Sequence, residues 1–222
     1  MKVGESIFDI VYLLTVLILG LVMAKMAKTK QYRMFGIMAV VLGAGDAFHL
    51  IPRVYAMWTT GMEANAAMLG IGQAVTSITM TIFYVLLYQI WSIRYQVQRD
   101  GGIRGVIYLL AALRILLCLF PQNQWMSPDA PVSWGIYRNI PFTLLGLLVL
   151  LLFFQRSREH QDRGMWWMWL AILISFVCYL PVVLFAKAVP AVGALMIPKT
   201  CAYVWMVVMG FIEMRREEAD IW

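Results

Sequence analysis

The sequence predicts an all-α polytopic membrane protein of seven transmembrane helices, and three observations predict it. The 222-residue chain is 62% hydrophobic with a mean hydropathy of +0.76, and only 14% of its residues are charged; soluble domains run about 45–50% apolar and about 25% charged. Its apolar residues gather into seven long runs. Its Lys and Arg residues collect in alternate connections between those runs. At about 20 residues per span, seven spans and short loops use up the length. Residues 1–222 are therefore read as a single seven-helix transmembrane domain with no room for a soluble catalytic one.

The runs cover about 6–27, 34–57, 65–92, 104–120, 134–155, 165–187 and 191–213. The first follows acidic Glu5 and Asp9 and lacks an Ala-x-Ala-like cleavage site, so it reads as a retained helix, not a cleaved leader. The fourth is the shortest and contains Arg114. Lys25, Lys28, Lys30 and Arg33 follow helix 1, Arg94, Arg99 and Arg104 follow helix 3, Arg156, Arg158 and Arg163 follow helix 5, and Arg215 and Arg216 close the tail. All these fall on one side. The other side keeps Lys2, Arg138 and Lys187, with Arg53 close by. The positive-inside rule then puts the N-terminus outside and the C-terminus in the cytoplasm of a cell membrane. Trp58, Trp91, Trp125, Trp134 and the Trp166, Trp167, Trp169 group fall at run ends, where aromatic belts are expected.

Leu50-Ile51-Pro52 and Tyr179-Leu180-Pro181 lie 129 residues apart, and the same shift superimposes the basic helix 1–2 turn on the helix 5–6 turn. This suggests a 3+1+3 repeat with helix 4 as linker, a plan found among transporters.

The +6 charge is spread over short segments instead of one patch, which speaks against nucleic acid. Cys118, Cys178 and Cys201 lie in apolar runs without CxxC spacing and read as free thiols. No phosphate-cradling loop, Ser-His-Asp order or redox pair is present, and no cofactor is implied.

Charged groups at membrane depth need a partner, water or a function. Helix 2 reads GAGDAFHLIPR, with Asp46, His49 and Arg53 at i, i+3 and i+7. They fall within an arc of about 60°, and Pro52 frees a backbone carbonyl beside them. Helix 3 carries a polar stripe of Gln73, Thr76, Ser77, Thr81, Tyr84 and Tyr88. Helix 4 adds Arg114, and helix 7 adds Lys199 with Tyr203 one turn on. His49, Gln73, Arg114 and Lys199 each lie about 10–13 Å below the outer boundary, at 1.5 Å per residue, with Arg138, Asn139 and Tyr179 in the same half. These residues predict one outward-facing polar cavity lined by Asp46, His49, Arg53, Gln73, Arg114, Lys199 and Tyr203, with Glu63 at the rim. Cations outnumber acids there, which favours a small anionic or amphipathic guest: a carboxylate, a phosphate or a lipid headgroup.

The functional expectation is binding or transport of such a molecule, with Asp46 and His49 as proton-coupling groups. An intramembrane lipid-modifying hydrolase using Asp46 and His49 is the alternative. A metal version is poorly matched, because the only other histidine, His160, lies in a connecting loop. A structural subunit is a further reading, since Gly36, Gly43, Gly45, Gly70 and Gly72 allow close packing within the bundle, in a homo-oligomer or with a membrane partner. Lys199 in the seventh helix invites a retinal Schiff base, but helix 3 has no acidic counterion and residue 195 is leucine.

Overall fold

The computed structural model describes residues 2–98 and 101–219; Arg99 lies outside them. Seven α-helices follow one another: α1 (Lys2–Met26), α2 (Lys30–Trp58), α3 (Ala66–Arg94), α4 (Ile103–Leu119), α5 (Val132–Glu159), α6 (Met168–Phe185) and α7 (Met196–Ala219). Two 3-10 segments, Pro121–Asn123 and Pro190–Leu195, precede α5 and α7, and no strand occurs among the described residues. Six of the helices are long and apolar enough to cross a membrane; α4, at 17 residues, is the shorter one. With its backbone polar groups satisfied inside helices, the chain is a membrane-embedded helical bundle.

The helices correspond one for one to the seven apolar runs. α7 begins about five residues later than its run because Pro190 starts a 3-10 segment instead of an α-helix. α2, α3 and α5 run on past the apolar residues into polar ones, where helix propensity still favours Lys, Arg, Gln and Glu.

α1 illustrates how the bundle is sorted. Ile7, Ile10, Leu14, Ile18 and Leu21, spaced three or four apart, are exposed. The opposite stripe of Asp9, Tyr12, Val16, Gly20 and Met23 is buried. In lipid the outward face gains nothing from burial, so this helix turns its small and polar residues inward. Each helix packs on its neighbour in sequence, α7 closes the ring against α1, and α2–α7 and α3–α5 contacts cross the middle. Gly36 sets the α1–α2 separation: a methyl there would lie 2.7 Å from the Gly20 carbonyl oxygen and from the Ala24 Cα.

One end of the ring is tied by an ionic knot. Arg94 donates from Nε and Nη2 to the two oxygens of Asp162 at 2.5 and 2.7 Å, and from Nη2 to Glu213 at 3.4 Å. Its Nη1 donates to the Tyr32 hydroxyl at 3.3 Å, which in turn donates to Glu217 at 2.5 Å. Asp162 also accepts from the Tyr95 hydroxyl and from the backbone N–H groups of Gly164 and Met165. One guanidinium thereby joins α2, α3, the α5–α6 loop and α7. Burial pushes the Asp162 carboxyl up, but Arg94 and the other donors outweigh it and hold the group below the usual carboxylate range.

Trp91, near the end of α3, faces the bundle interior. It is 2% exposed, stacks on Tyr88 and donates to the Leu152 carbonyl at 2.9 Å.

Arg94→Ala leaves Asp162 without its cation, while Glu213 keeps Arg216 at 3.0 Å, and is expected to cost about 3 kcal/mol, read as a lower melting temperature of the detergent-purified protein. A carboxyl depressed in the folded state contributes stability above its unfolded value that is lost on acidification. Wild type should therefore lose stability below about pH 4, and Asp162→Asn should be less stable at neutral pH with that acid-dependent part removed.

Candidate functional site

At the opposite end of the ring lie two adjoining cavities. The first, about 270 Å³, sits between α1, α2, α7 and the Pro190–Leu195 segment and is lined by Glu5, Asp9, Asp46, His49, Arg53 and Lys199. The second, about 370 Å³, lies among α3 to α7 and includes Gln73, Arg114, Arg138, Tyr179 and Tyr203. His49, Thr76, Met196 and Lys199 line both and form the partition between them. The seven residues singled out in the sequence therefore divide: Asp46 and Arg53 in the first, Gln73, Arg114 and Tyr203 in the second, His49 and Lys199 between. Glu63 is exposed and lines neither.

The first cavity is acidic. Asp46 accepts the Tyr12 hydroxyl at 2.5 Å. Asp9, 9% exposed, has an oxygen buried without a hydrogen-bond partner. Glu5 pairs with Arg53 at 3.5 Å near the rim, where both are about one-third exposed. His49 keeps its Nδ1 buried and unpartnered; no hydrogen bond joins it to Asp46. Gly72 brings α3 against the backbone of this turn, since a methyl there would lie 2.8 Å from the His49 Cα. The Thr76 hydroxyl adds a second tie, donating to the Gly45 carbonyl at 3.0 Å.

The second cavity is basic and has no carboxylate in its lining. Arg114 is 1% exposed. Its Nη1 donates to the Arg138 carbonyl at 2.5 Å and to Asn139 Oδ1 at 2.6 Å, and the guanidinium stands 4.1 Å over the Phe142 ring. Pro141 helps to shape this turn of α5 by withholding a backbone N–H from the preceding helical turn. Asn139 is the hub: the same Oδ1 accepts the Tyr179 hydroxyl at 2.9 Å, and its Nδ2 donates to the Gly135 carbonyl at 2.8 Å. The Arg114 Nε remains buried and unpartnered, and no acidic group among the described residues pairs with it. Arg138 donates to Asn123 at 2.8 Å and lies 4.2 Å over the Trp125 ring. Trp125 is thus a wall of the cavity and not only a belt residue.

Lys199 is 9% exposed. Its ammonium lies 4.7 Å from the Tyr179 ring centroid and 5.4 Å from that of Tyr203, with no ion pair among the described residues. Tyr203, 2% exposed, meets Phe83 edge to face below. The cavity floor is therefore aromatic.

Sequence reasoning overlooked the α1 contribution. Glu5, Asp9 and Tyr12 stand four and three apart on one helical face, the signal that would have aimed them inward. No such signal existed for Trp125, which a loop delivers. No family model and no curated protein matches the chain.

Asn139→Ala should cost about 2 kcal/mol or more, because it strips a buried guanidinium of an acceptor. Tyr179→Phe, which removes only a neutral donor to the same oxygen, should cost about 1 kcal/mol. Thermal melts of the two variants check this order; equal losses would mean that Asn139 does not hold Arg114.

Proposed function

We propose that this chain is a seven-span protein of a cell membrane, N-terminus outside and C-terminus in the cytoplasm, that binds or moves a small anionic or amphipathic molecule in the basic cavity. The observation that carries the reading is Arg114: a guanidinium 1% exposed, with a free Nε and no counter-ion, lining a cavity whose other charged groups, Arg138, Lys187 and Lys199, are also cations. Burying an uncompensated cation is costly. An anion entering the cavity would supply the missing charge and accept from donors already fixed in place. The Trp125 and Phe142 rings would line its apolar part.

The orientation rests on the distribution of basic residues. The knotted end carries Lys25, Lys28, Lys30, Arg33, Arg156, Arg158 and Arg163, while the cavity end has few basic residues outside the cavities themselves. The positive-inside rule then turns the cavities outward. α4 counts as the seventh span because it stands in the ring between α3 and α5. The 3+1+3 plan fits this reading, since Pro52 and Pro181 lie inside α2 and α6 toward this same end. A hydrolase built on Asp46 and His49 has less support, because Asp46 engages Tyr12 and not the histidine.

Native mass spectrometry of the detergent-purified protein tests the proposal. Wild type should retain a small anionic molecule that Arg114→Gln releases, with at least tenfold less retained. Equal retention by the variant, or none by wild type, would sink it.

A further inference from the structure

Apart from His49, Lys199 is the one ionisable side chain that lines both cavities, and its position differs in kind from that of the other cations around it. Arg53 is tied to Glu5, Arg138 to Asn123 and Arg114 to Asn139. The Lys199 ammonium lies over the rings of Tyr179 and Tyr203, contacts without the directed hydrogen bonds of an ion pair. On one side stands Asp46, which lines the first cavity together with Lys199. On the other stand Arg114 and Arg138 without an acid.

We propose that Lys199 couples anion binding in the basic cavity to uptake of one proton by Asp46 in the acidic one; this rests on the anion-binding reading above. With the basic cavity empty, Lys199 compensates Asp46 across the partition. An anion arriving beside Arg114 draws the ammonium toward itself. Asp46 then keeps the Tyr12 hydrogen bond but loses its counter-charge. The groups that remain around it do not replace that charge. α1 presents Glu5, Asp9 and Tyr12, of which two are acids. On α2, Arg53 is engaged by Glu5, and His49 is the remaining titratable group. Thr76 of α3 and the Pro190–Leu195 segment contribute no charge. A carboxylate left uncompensated in such a cavity takes a proton from the outer solution, forming one O–H bond on an Asp46 oxygen. The proton offsets one unit of the negative charge that enters with the anion. By linkage, protonation of Asp46 must strengthen anion binding by the same factor.

Sulfate is a suitable probe, because it does not titrate near neutrality. Calorimetric titration of sulfate into the detergent-purified full chain, in buffers of different ionisation enthalpy between pH 5.5 and 8.5, counts the protons taken up. Wild type should take up about one proton per sulfate, with affinity falling by up to about tenfold per pH unit as pH rises. Asp46→Asn should bind sulfate with no proton uptake and no pH dependence. His49→Gln should still take up about one proton for each sulfate it binds. Sulfate bound by wild type without proton uptake overturns the coupling and leaves the anion site standing, a result that needs no variant to fold. Uptake that survives in Asp46→Asn but is lost in His49→Gln overturns it in favour of the histidine. If sulfate binds at no pH, the anion site and the coupling fall together.

Discussion

A polar group inside an apolar slab must find its partner within the protein, since neither water nor lipid supplies one. That constraint orders this bundle from one end to the other. It turns Asp9 and Tyr12 of α1 inward while Ile10 and Leu14 face out. It seats the Trp91 indole N–H on the Leu152 carbonyl and the Tyr84 hydroxyl beside Ser175. Apolar attraction cannot do the same sorting here, because a leucine is as well solvated by lipid tails as by another helix.

The two ends of the ring meet the constraint differently. At the knotted end Arg94 faces Asp162, Glu213 and Glu217, so the charges there are compensated and hold four parts of the chain in register. At the cavity end compensation is incomplete and is separated in space. Acids gather on the α1–α2 side of the partition and cations on the α3–α6 side. Among the described residues, three of the five buried side-chain polar atoms left without a partner, on Asp9, His49 and Arg114, belong to residues that line these cavities. Orphaned groups of this kind reduce stability, and here they cluster where the proposed anion and proton would enter.

Much of this was legible in the residues. Hydropathy runs located seven helices, because a span must keep about 20 residues apolar whatever surrounds it. The i, i+3, i+7 stripe of Asp46, His49 and Arg53 pointed one face of α2 at the interior, and depth counting put His49, Gln73, Arg114 and Lys199 at one level. Helix ends were less legible: α2, α3 and α5 run past their apolar stretches, and Pro190 turns the start of the last run into a 3-10 segment. A run boundary likewise does not say which way its tryptophan faces: Trp91 turns into the core and Trp125 walls a cavity.

The sequence by itself determined that this chain is a membrane-embedded bundle of helices and which of its charged residues lie at depth, because both follow from the local cost of exposing polar groups to lipid. Only the tertiary structure decided how those residues are grouped. Level along the helix axis does not specify position around the ring, so residues at one depth could be neighbours or stand apart. Closure of α7 against α1 and the approach of α2 and α3 at Gly72 divided a single expected cavity into an acidic and a basic one. They also set Lys199 on the wall between, held by aromatic faces and by no carboxylate, because the relative rotation of packed helices is fixed by contacts between distant parts of the chain.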